Sequence, residues 1–242
     1  MQFLYKSGAV ILFFLLLAGC GGQLQGSADN NHPDQASSKQ EEGYMIKEDV
    51  DNINDHLDYE DRKTDTIYMA GGCFWGVEAY MSRIYGVADV VSGYANGEGS
   101  DPSYADVVKG DEHFAETVKV TYDPERVSLD TLINRLFKVI DPTSKNQQGN
   151  DVGEAYRTGI YYADKADEET VKSAVADEQA YYDDAIETEA KQLDNFYKAE
   201  EMHQDYLEKN PNGYCHINLT TANDFAIEPI EKDKDIVKKL SQ

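Results

Sequence analysis

Segments with the two-residue period of β-strands alternate with segments of helical spacing, and this alternation limits the fold more than any other feature of the sequence. Residues 65–70 have the strand pattern, which Gly71-Gly72 end. Apolar residues then recur at helical spacing over residues 73–84. Interleaved strands and helices are typical of a sheet covered by helices, so the sequence predicts an α+β or α/β layer around one sheet.

The alternation continues along the chain. Further strands are predicted over residues 87–94, 116–122, 158–162 and 187–193. Helices are predicted over residues 128–140, 167–186 and 199–208, and a last one near the end of the tail. The segment 93–103, rich in Gly, Asn and Asp, and the polar segment 142–153 are predicted as loops. With 40% apolar residues, 17 Tyr and 8 Phe, the chain can build a core.

The first twenty residues have a different character. Lys6 precedes an apolar run over residues 8–19, which is short for a membrane-spanning helix of about 20 residues but suits a signal peptide. The segment ends in Leu17-Ala18-Gly19-Cys20, which resembles the lipobox of bacterial lipoproteins. That resemblance implies lipidation of Cys20, which would anchor the mature chain to the extracytoplasmic face of the membrane. An ordinary secretory signal and an uncleaved anchor remain alternatives.

Composition divides the rest of the chain. Residues 21–63 carry eleven acidic and four basic side chains and few large apolar ones, so they are predicted to form a flexible acidic tether. Residues 64–225 are predicted to form the folded domain. Residues 226–242 are predicted to form a polar C-terminal tail.

Charge and cysteine content exclude several classes of protein. The formal net charge is −24, and phosphate binding needs clustered Lys and Arg, so nucleic acid is excluded as a partner. Three cysteines without a Cys-x-x-Cys pair exclude a disulfide scaffold, a zinc ribbon and a thioredoxin-like motif. His113, His203 and His216 lack a second ligand at metal spacing, so surface or capping roles and no metal site are expected. The acidic stretch 164–189 is predicted to be a solvated helix face, with weak calcium binding as the alternative.

Cys73 lies where the first strand turns into the first helix. The positive end of a helix dipole favours a thiolate, so the sequence predicts an exposed Cys73 thiol with a lowered pKa, suited to act as a nucleophile. Cys215 follows an Asn-Pro-Asn-Gly turn in a loop-like segment. A structural disulfide between these two cysteines remains open at this point. A plain core role for Phe74 and Trp75 also remains open.

A series of motifs in the folded part occurs in one known family. The most specific is Gly71-Gly72-Cys73-Phe74-Trp75-Gly76-Val77-Glu78. Others follow in order, among them Ser92-Gly93-Tyr94-Ala95, Pro102-Ser103-Tyr104, Ala115-Glu116, Gln148-Gly149-Asn150-Asp151-Val152-Gly153, Tyr156-Arg157-Thr158-Gly159-Ile160-Tyr161-Tyr162 and His203-Gln204-Asp205-Tyr206-Leu207. Through these motifs the chain resembles the A-type peptide methionine sulfoxide reductases over about residues 65–220. The resemblance implies a two-layer α/β sandwich, a ferredoxin-like roll, around one mixed sheet with long coil segments.

The resemblance also implies a role for each matching residue. The implied catalytic residues are Cys73, Glu116, Tyr104, Tyr156, Cys215 and Asp151, and the implied substrate-binding residues are Phe74 and Trp75. In this scheme Cys73 attacks the sulfur of a methionine S-sulfoxide and becomes a sulfenic acid, while Glu116 protonates the oxygen. The hydroxyls of Tyr104 and Tyr156 assist Glu116, and Asp151 supports the site. Cys215 then resolves the sulfenic acid as a disulfide.

Partners follow from the same resemblance. The expected substrate is methionine sulfoxide, free or in proteins and peptides. No bound cofactor is expected, and the reductant is an external thiol of the thioredoxin type on the extracytoplasmic side. We expect a monomer.

Two departures from the family pattern are His113-Phe114 before Ala115-Glu116 and Glu154-Ala155 before Tyr156. A binding lipoprotein with a static disulfide, and a thiol oxidoreductase acting on other proteins' disulfides, remain alternatives.

Overall fold

The computed structural model describes residues 52–223 and 227–240. Cys20, its lipobox and most of the predicted tether lie outside the described residues. The strands are β1 (Asp65–Gly71), β2 (Val87–Ala95), β3 (Ala115–Tyr122), β4 (Gln147–Gln148), β5 (Asp151–Val152), β6 (Thr158–Tyr162), β7 (Glu189–Gln192) and β8 (Phe196–Lys198). The α-helices are α1 (Phe74–Met81), α2 (Tyr104–Lys109), α3 (Leu129–Phe137), α4 (Glu168–Glu178), α5 (Tyr206–Lys209) and α6 (Lys234–Leu240).

Six strands form one mixed sheet, in the order β7-β6-β1-β3-β2-β8. β6 and β7 pair in parallel, whereas the other neighbours are antiparallel. β4 and β5 form a separate two-stranded ribbon. The predicted fold around one mixed sheet is therefore confirmed. In this register Glu116 on β3 lies opposite Tyr94 on β2.

The main core lies between one face of the sheet and the helices. Alternate side chains of β1 and β3 enter it, such as Ile67, Met69, Val118 and Val120, which are fully buried. They join the apolar faces of α1, α3 and α4. A smaller cluster around Tyr161 contains alanines from β1, β2 and β3, at the intervening strand positions. The two-residue strand period thus separates the two clusters.

The long acidic helix predicted over residues 167–186 is shorter than expected. α4 ends at Glu178 and continues only as a 3-10 turn over Gln179–Tyr181. Asp177 and Glu178 place negative charge at the C-terminal end of the helix dipole, which is unfavourable. The Gln179 side chain then bonds the backbone of the following turn, where its amide donates to Asp184 O at 2.9 Å and its oxygen accepts from Ile186 N at 2.9 Å.

Three other segments differ from the prediction. The predicted loop 93–103 is followed by α2, whose start has a capping box between Ser103 and Asp106. The predicted helix 199–208 divides into a 3-10 turn over Glu201–His203 and the short α5. Asp205 interrupts it because its φ of 51° is left-handed. Strand β8, which pairs with β2, was not predicted.

The ends of the described chain pack together on the domain, which corrects the predicted boundaries at residues 63 and 226. Ile53 and Leu57, assigned to the flexible tether, are buried in a cluster with Tyr85 and Val237. Asp233, assigned to the polar tail, is 3% exposed and forms an ion pair with Arg126. Residues 52–62 and 227–240 therefore belong to the folded domain.

Among the described helices, none combines the length and the apolarity that crossing a bilayer requires.

Candidate active site

Cys73 occupies the N-cap of α1, as the strand-to-helix pattern predicts. Gly72 precedes it with a left-handed φ of 84°, a conformation that favours glycine. The expected exposure and lowered pKa are wrong, however, because Cys73 is only 8% exposed. Burial raises the pKa of the thiol well above its ordinary value, and the nearby carboxylate of Glu116 raises it further. Helix position alone does not decide this pKa, since desolvation outweighs the dipole.

Glu116 projects from β3 toward the start of α1. Its Oε2 accepts a hydrogen bond from the backbone N–H of Phe74 at 3.0 Å, and the side chain is almost fully buried. Burial raises its pKa to about 8, against the lowering effect of the Phe74 N–H, and the charge of Asp151 raises it too. The carboxyl group is therefore protonated at neutral pH and can donate a proton beside Cys73.

Tyr104 and Tyr156 face the same carboxyl group. Their hydroxyls interact electrostatically, and the pKa values of both are raised, first by burial and also by the charge of Glu116. Tyr104 begins α2, where its backbone N–H donates to Oε1 of Glu200 at 2.9 Å. The structure thus brings both predicted tyrosines to the predicted acid.

Phe74 and Trp75 border an aromatic cluster at the start of α1. The Trp75 ring is stacked on Tyr206 with 3.7 Å between centroids. His203 lies among Phe74, Trp75 and Tyr104, with centroid distances of 5.2, 5.8 and 4.7 Å respectively. Trp75 is only partly buried, so its face can contact a ligand.

His203 was predicted to have a surface or capping role, and that prediction is wrong. It is 2% exposed, and its Nδ1 accepts a hydrogen bond from Trp75 Nε1 at 3.2 Å. Burial lowers its pKa, against the effect of Glu200, so the ring is neutral. Its place in the motif with Gln204 and Tyr206 was the sequence signal for a site residue.

Asp151 lies at the end of the β4–β5 ribbon. Burial raises its pKa, whereas His216 and the hydroxyl of Tyr214 lower it. Its charge raises the pKa values of four predicted site residues, which are Cys73, Glu116, Tyr104 and Tyr156.

His216 is a second histidine wrongly predicted to be on the surface. Its side chain is 7% exposed and lies 3.9 Å from the Asp151 carboxylate, measured from Nδ1 to Oδ2. His113, in contrast, is exposed as expected. Within the described residues, no group of three or more His, Cys, Asp or Glu side chains is arranged to hold a metal ion.

Cys215 lies against the first turn of α1. A Cβ atom at Gly76 would come within 3.2 Å of the Cys215 sulfur, so the two residues are in contact. Cys73 and Gly76 are one helical turn apart, and the Cys73 carbonyl accepts from Gly76 N. Both cysteines are free thiols and both are buried. The structure therefore presents the two sulfurs in their reduced form on neighbouring segments.

The two departures from the family pattern contact each other. His113 Nδ1 and Glu154 Oε2 are 2.8 Å apart, and both side chains are exposed. Glu154 begins the 3-10 turn that ends at Tyr156. These residues thus change the surface next to the site and leave Glu116 and Tyr156 in register.

Comparison with known proteins decides the family. A family model described as peptide methionine sulfoxide reductase matches residues 65–235. The chain belongs to this family. Two relatives named peptide methionine sulfoxide reductase MsrA, from two strains of Clostridium perfringens, are each 53% identical over 153 residues, which cover 63% of this chain and 98% of the relative.

Solved structures agree in sequence and fold. The reduced form of Mxr1 from Saccharomyces cerevisiae has a TM-score of 0.61 and 38% identity, and covers 66% of this chain and 94% of its own. Methionine sulfoxide reductase A of Corynebacterium diphtheriae has a TM-score of 0.58 and 36% identity, with 63% and 77% covered. The predicted activity is confirmed at the level of the family: the chain is an oxidoreductase that acts on methionine sulfoxide. The roles of individual residues stay predictions.

Proposed function

We propose that the chain reduces the S epimer of methionine sulfoxide through a Cys73 sulfenic acid that Cys215 resolves as a disulfide. The observation that carries this proposal is the buried carboxyl group of Glu116, which the Phe74 N–H holds at the start of the helix that Cys73 caps. A sulfoxide oxygen leaves sulfur only when it is protonated, and Glu116 is protonated at neutral pH.

The first step moves one oxygen atom. The Cys73 sulfur attacks the sulfoxide sulfur, and Glu116 gives its proton to the sulfoxide oxygen. The protonated oxygen then passes as a hydroxyl from the methionine sulfur to the Cys73 sulfur, which becomes a sulfenic acid. The bond between the two sulfurs breaks in the same step, and methionine leaves with its electron pair. Glu116 recovers a proton from the thiol, so the buried site gains no net charge. This relay fits a Cys73 thiol whose pKa is raised in the free enzyme.

The second step removes that oxygen as water. The Cys215 thiol attacks the sulfenic sulfur of Cys73, a disulfide forms, and the hydroxyl leaves with the thiol proton. An external dithiol then reduces the disulfide and is itself oxidised. The contact of Cys215 with the first turn of α1 supports this role.

Three groups around the site account for the choice of one epimer. The methyl group would pack on Phe74 and Trp75, the oxygen would face Glu116 and the two tyrosine hydroxyls, and Cys73 sets the line of attack. A sulfoxide sulfur is a chiral centre, so only one epimer satisfies all three contacts. We expect this to be the S epimer, by similarity to the family.

The test uses the protein with resolved sulfoxide epimers and dithiothreitol. Cys73→Ser should abolish turnover, because a hydroxyl oxygen is a far weaker nucleophile than a thiol sulfur. Cys215→Ser should release about one equivalent of methionine in the absence of a small thiol and stop with a trappable sulfenic acid. Turnover by Cys73→Ser, or equal rates on both epimers, would contradict the scheme.

The cellular setting belongs to the same proposal. The lipobox at Cys20 and the acidic segment that follows it support a lipid-anchored enzyme that repairs oxidised extracytoplasmic proteins. The reductant would then be a thioredoxin-like protein facing that side of the membrane. Expression of the full chain in a bacterial host tests the anchor: Cys20→Ser should abolish lipid incorporation, whereas Cys73→Ser should not change it.

A further inference from the structure

The buried histidine next to Cys215 has no part in the scheme so far. His216 Nε2 lies 3.2 Å from the carbonyl oxygen of Gly71. A carbonyl oxygen only accepts hydrogen bonds, so Nε2 carries the proton and donates. This bond joins the residue after Cys215 to the residue two positions before Cys73. It therefore links the two segments that carry the reacting sulfurs.

Two glycines shape the slot that holds the ring. A Cβ atom at Gly72 would lie 3.1 Å from His216 Cε1, and one at Gly149 would lie 3.0 Å from His216 Cβ. Both glycines have left-handed φ angles, 84° and 55°. The backbone on both sides thus approaches the histidine more closely than residues with side chains would allow.

The ring has one hydrogen bond within the described part of the chain. Its Nδ1 is buried without a hydrogen-bond partner there, and Asp151 Oδ2, at 3.9 Å, is too far away for one. Burial lowers the pKa of His216, although Asp151 and the Gly71 carbonyl oppose this. The neutral ring therefore acts as a donor to Gly71.

Contacts of Cys215 and of the residues that follow it hold this segment in place. Its sulfur lies against Gly76 and is bonded to the backbone of Ile217, with 3.3 Å to Ile217 O. Ile217 is 1% exposed and would also contact a Cβ at Gly76. His216 holds the opposite side of the segment to the strand end before Cys73. Disulfide formation requires the two sulfurs to meet in a narrow geometry.

We propose that His216 is a positioning residue for the second step, because its bond to Gly71 keeps Cys215 beside Cys73 until the sulfenic acid forms. This inference rests on the proposed function. In the step it serves, the Cys215 thiol and the Cys73 sulfenic acid form a disulfide and release water. Loss of the bond lowers the effective concentration of the thiol and leaves the attack on sulfoxide intact.

The test compares two substitutions in the full chain. The amide of Gln reaches the position of Nε2, so His216→Gln keeps the donor, whereas the shorter side chain of His216→Asn does not reach Gly71. In a single turnover without external thiol, methionine release reports the first step and a dione that alkylates sulfenic acid reports the second. His216→Asn should release methionine as the parent does and form the disulfide on the order of 10²-fold more slowly. His216→Gln should stay within a few-fold of the parent.

A third variant perturbs the slot and keeps the histidine. Gly149→Ala places a methyl group against His216 and should also slow disulfide formation with methionine release retained. Disulfide formation at the parental rate in His216→Asn or in Gly149→Ala would overturn the inference, as would equal slowing in the Asn and Gln variants. Should His216→Asn fail to fold, as judged by circular dichroism, the Gly149→Ala result decides. Absence of a methionine burst in the parent itself would instead overturn the proposed function.

Discussion

At the scale of single residues, burial keeps Cys73 and Glu116 uncharged in the free protein. Cys73 and Glu116 are both buried, and burial raises the pKa of each. The resting pair therefore consists of a thiol and a carboxylic acid instead of a thiolate and a carboxylate. Two neighbouring anions would repel each other strongly in a medium of low dielectric constant. In the proposed scheme the sulfoxide oxygen receives its proton from the carboxyl group that desolvation has kept neutral.

Glu116→Gln tests this arrangement, because it keeps the shape of the side chain and removes the proton. The sulfoxide step should slow by roughly 10² to 10⁴. The pKa of Glu116 is about 8, and the protonated form is the donor, so the parental rate should fall as pH rises through about 8. Stopped-flow measurement of methionine release across pH gives both quantities. The variant should lack this alkaline limb, and a parental profile that is flat through about pH 8 would contradict the role of Glu116.

At the scale of elements, a single side chain decides where the acidic helix α4 ends. The side chain of Gln179, just after the helix, forms hydrogen bonds with the backbone of Tyr182, Asp184 and Ile186. These bonds turn the chain back toward β7, which pairs with β6 at the edge of the sheet. The turn is therefore specified by an amide side chain instead of a glycine or a proline.

Gln179→Ala should weaken this turn. It removes three hydrogen bonds to the backbone, each contributing about 0.5–1.5 kcal/mol, so we expect a loss of about 1.5–4.5 kcal/mol in the free energy of unfolding. Urea denaturation followed by circular dichroism measures the change. Gln192→Ala, at an exposed position on β7, is the matched control and should change stability little. Equal effects of the two substitutions would show that the amide bonds do not stabilise the turn.

At the scale of the whole molecule, the two ends of the described chain meet on one buried ion pair. Arg126 Nε lies 2.7 Å from Asp233, and its Nη1 donates to the backbone oxygen of Asp58 at 2.9 Å. Its guanidinium also lies over the Tyr59 ring, 4.5 Å from the centroid. One arginine from the domain thereby contacts both the N-terminal segment and the C-terminal segment.

Asp233→Ala should destabilise the protein because it leaves Arg126 buried without this partner. Removal of one member of a buried pair costs about 3–5 kcal/mol, measured as the shift in urea denaturation. Exposed Asp235→Ala is the control.

Burial opposes ionisation of Asp233, but hydrogen bonds from Arg126 and Tyr85 outweigh it and lower its pKa. Its contribution is therefore complete above the ordinary aspartate pKa of about 3.9 and is lost as pH falls through the lowered value. A difference in stability between the parent and Asp233→Ala that stays the same from neutral pH down to strong acid would contradict this.

The net charge of −24 predicts a substrate preference. A strongly negative surface attracts cationic ligands and repels anionic ones, an effect that salt screens. At low ionic strength kcat/KM should be about tenfold higher for a methionine sulfoxide peptide flanked by lysines than for one flanked by glutamates. The difference should shrink in about 1 M salt, where the Debye length is about 3 Å. A ratio that is the same at low and high salt would show that charge does not steer the substrate.

The sequence by itself determined much of the local structure and several of the residues that the site brings together. Strand and helix periods located β1, β2, β3, β6 and α3 closely, because these elements bury one regular face against the core. The nucleophile motif placed Cys73 at the start of a helix, which depends only on residues next to it in the chain. The resemblance to the family also predicts that Glu116, Tyr104 and Tyr156 belong to one site.

The tertiary structure alone determines the burial, the contacts and the pKa values of those residues. The pKa of Cys73 depends on burial and on Glu116, and Glu116 meets the backbone of Phe74 across 42 residues of sequence. His203 reaches Trp75 across 128 residues, so neither its burial nor its tautomer has a local signature. The docking of residues 52–62 likewise depends on Arg126 and Asp233. Desolvation and long-range contacts arise only when distant segments pack together. A local sequence pattern does not indicate which segments will do so.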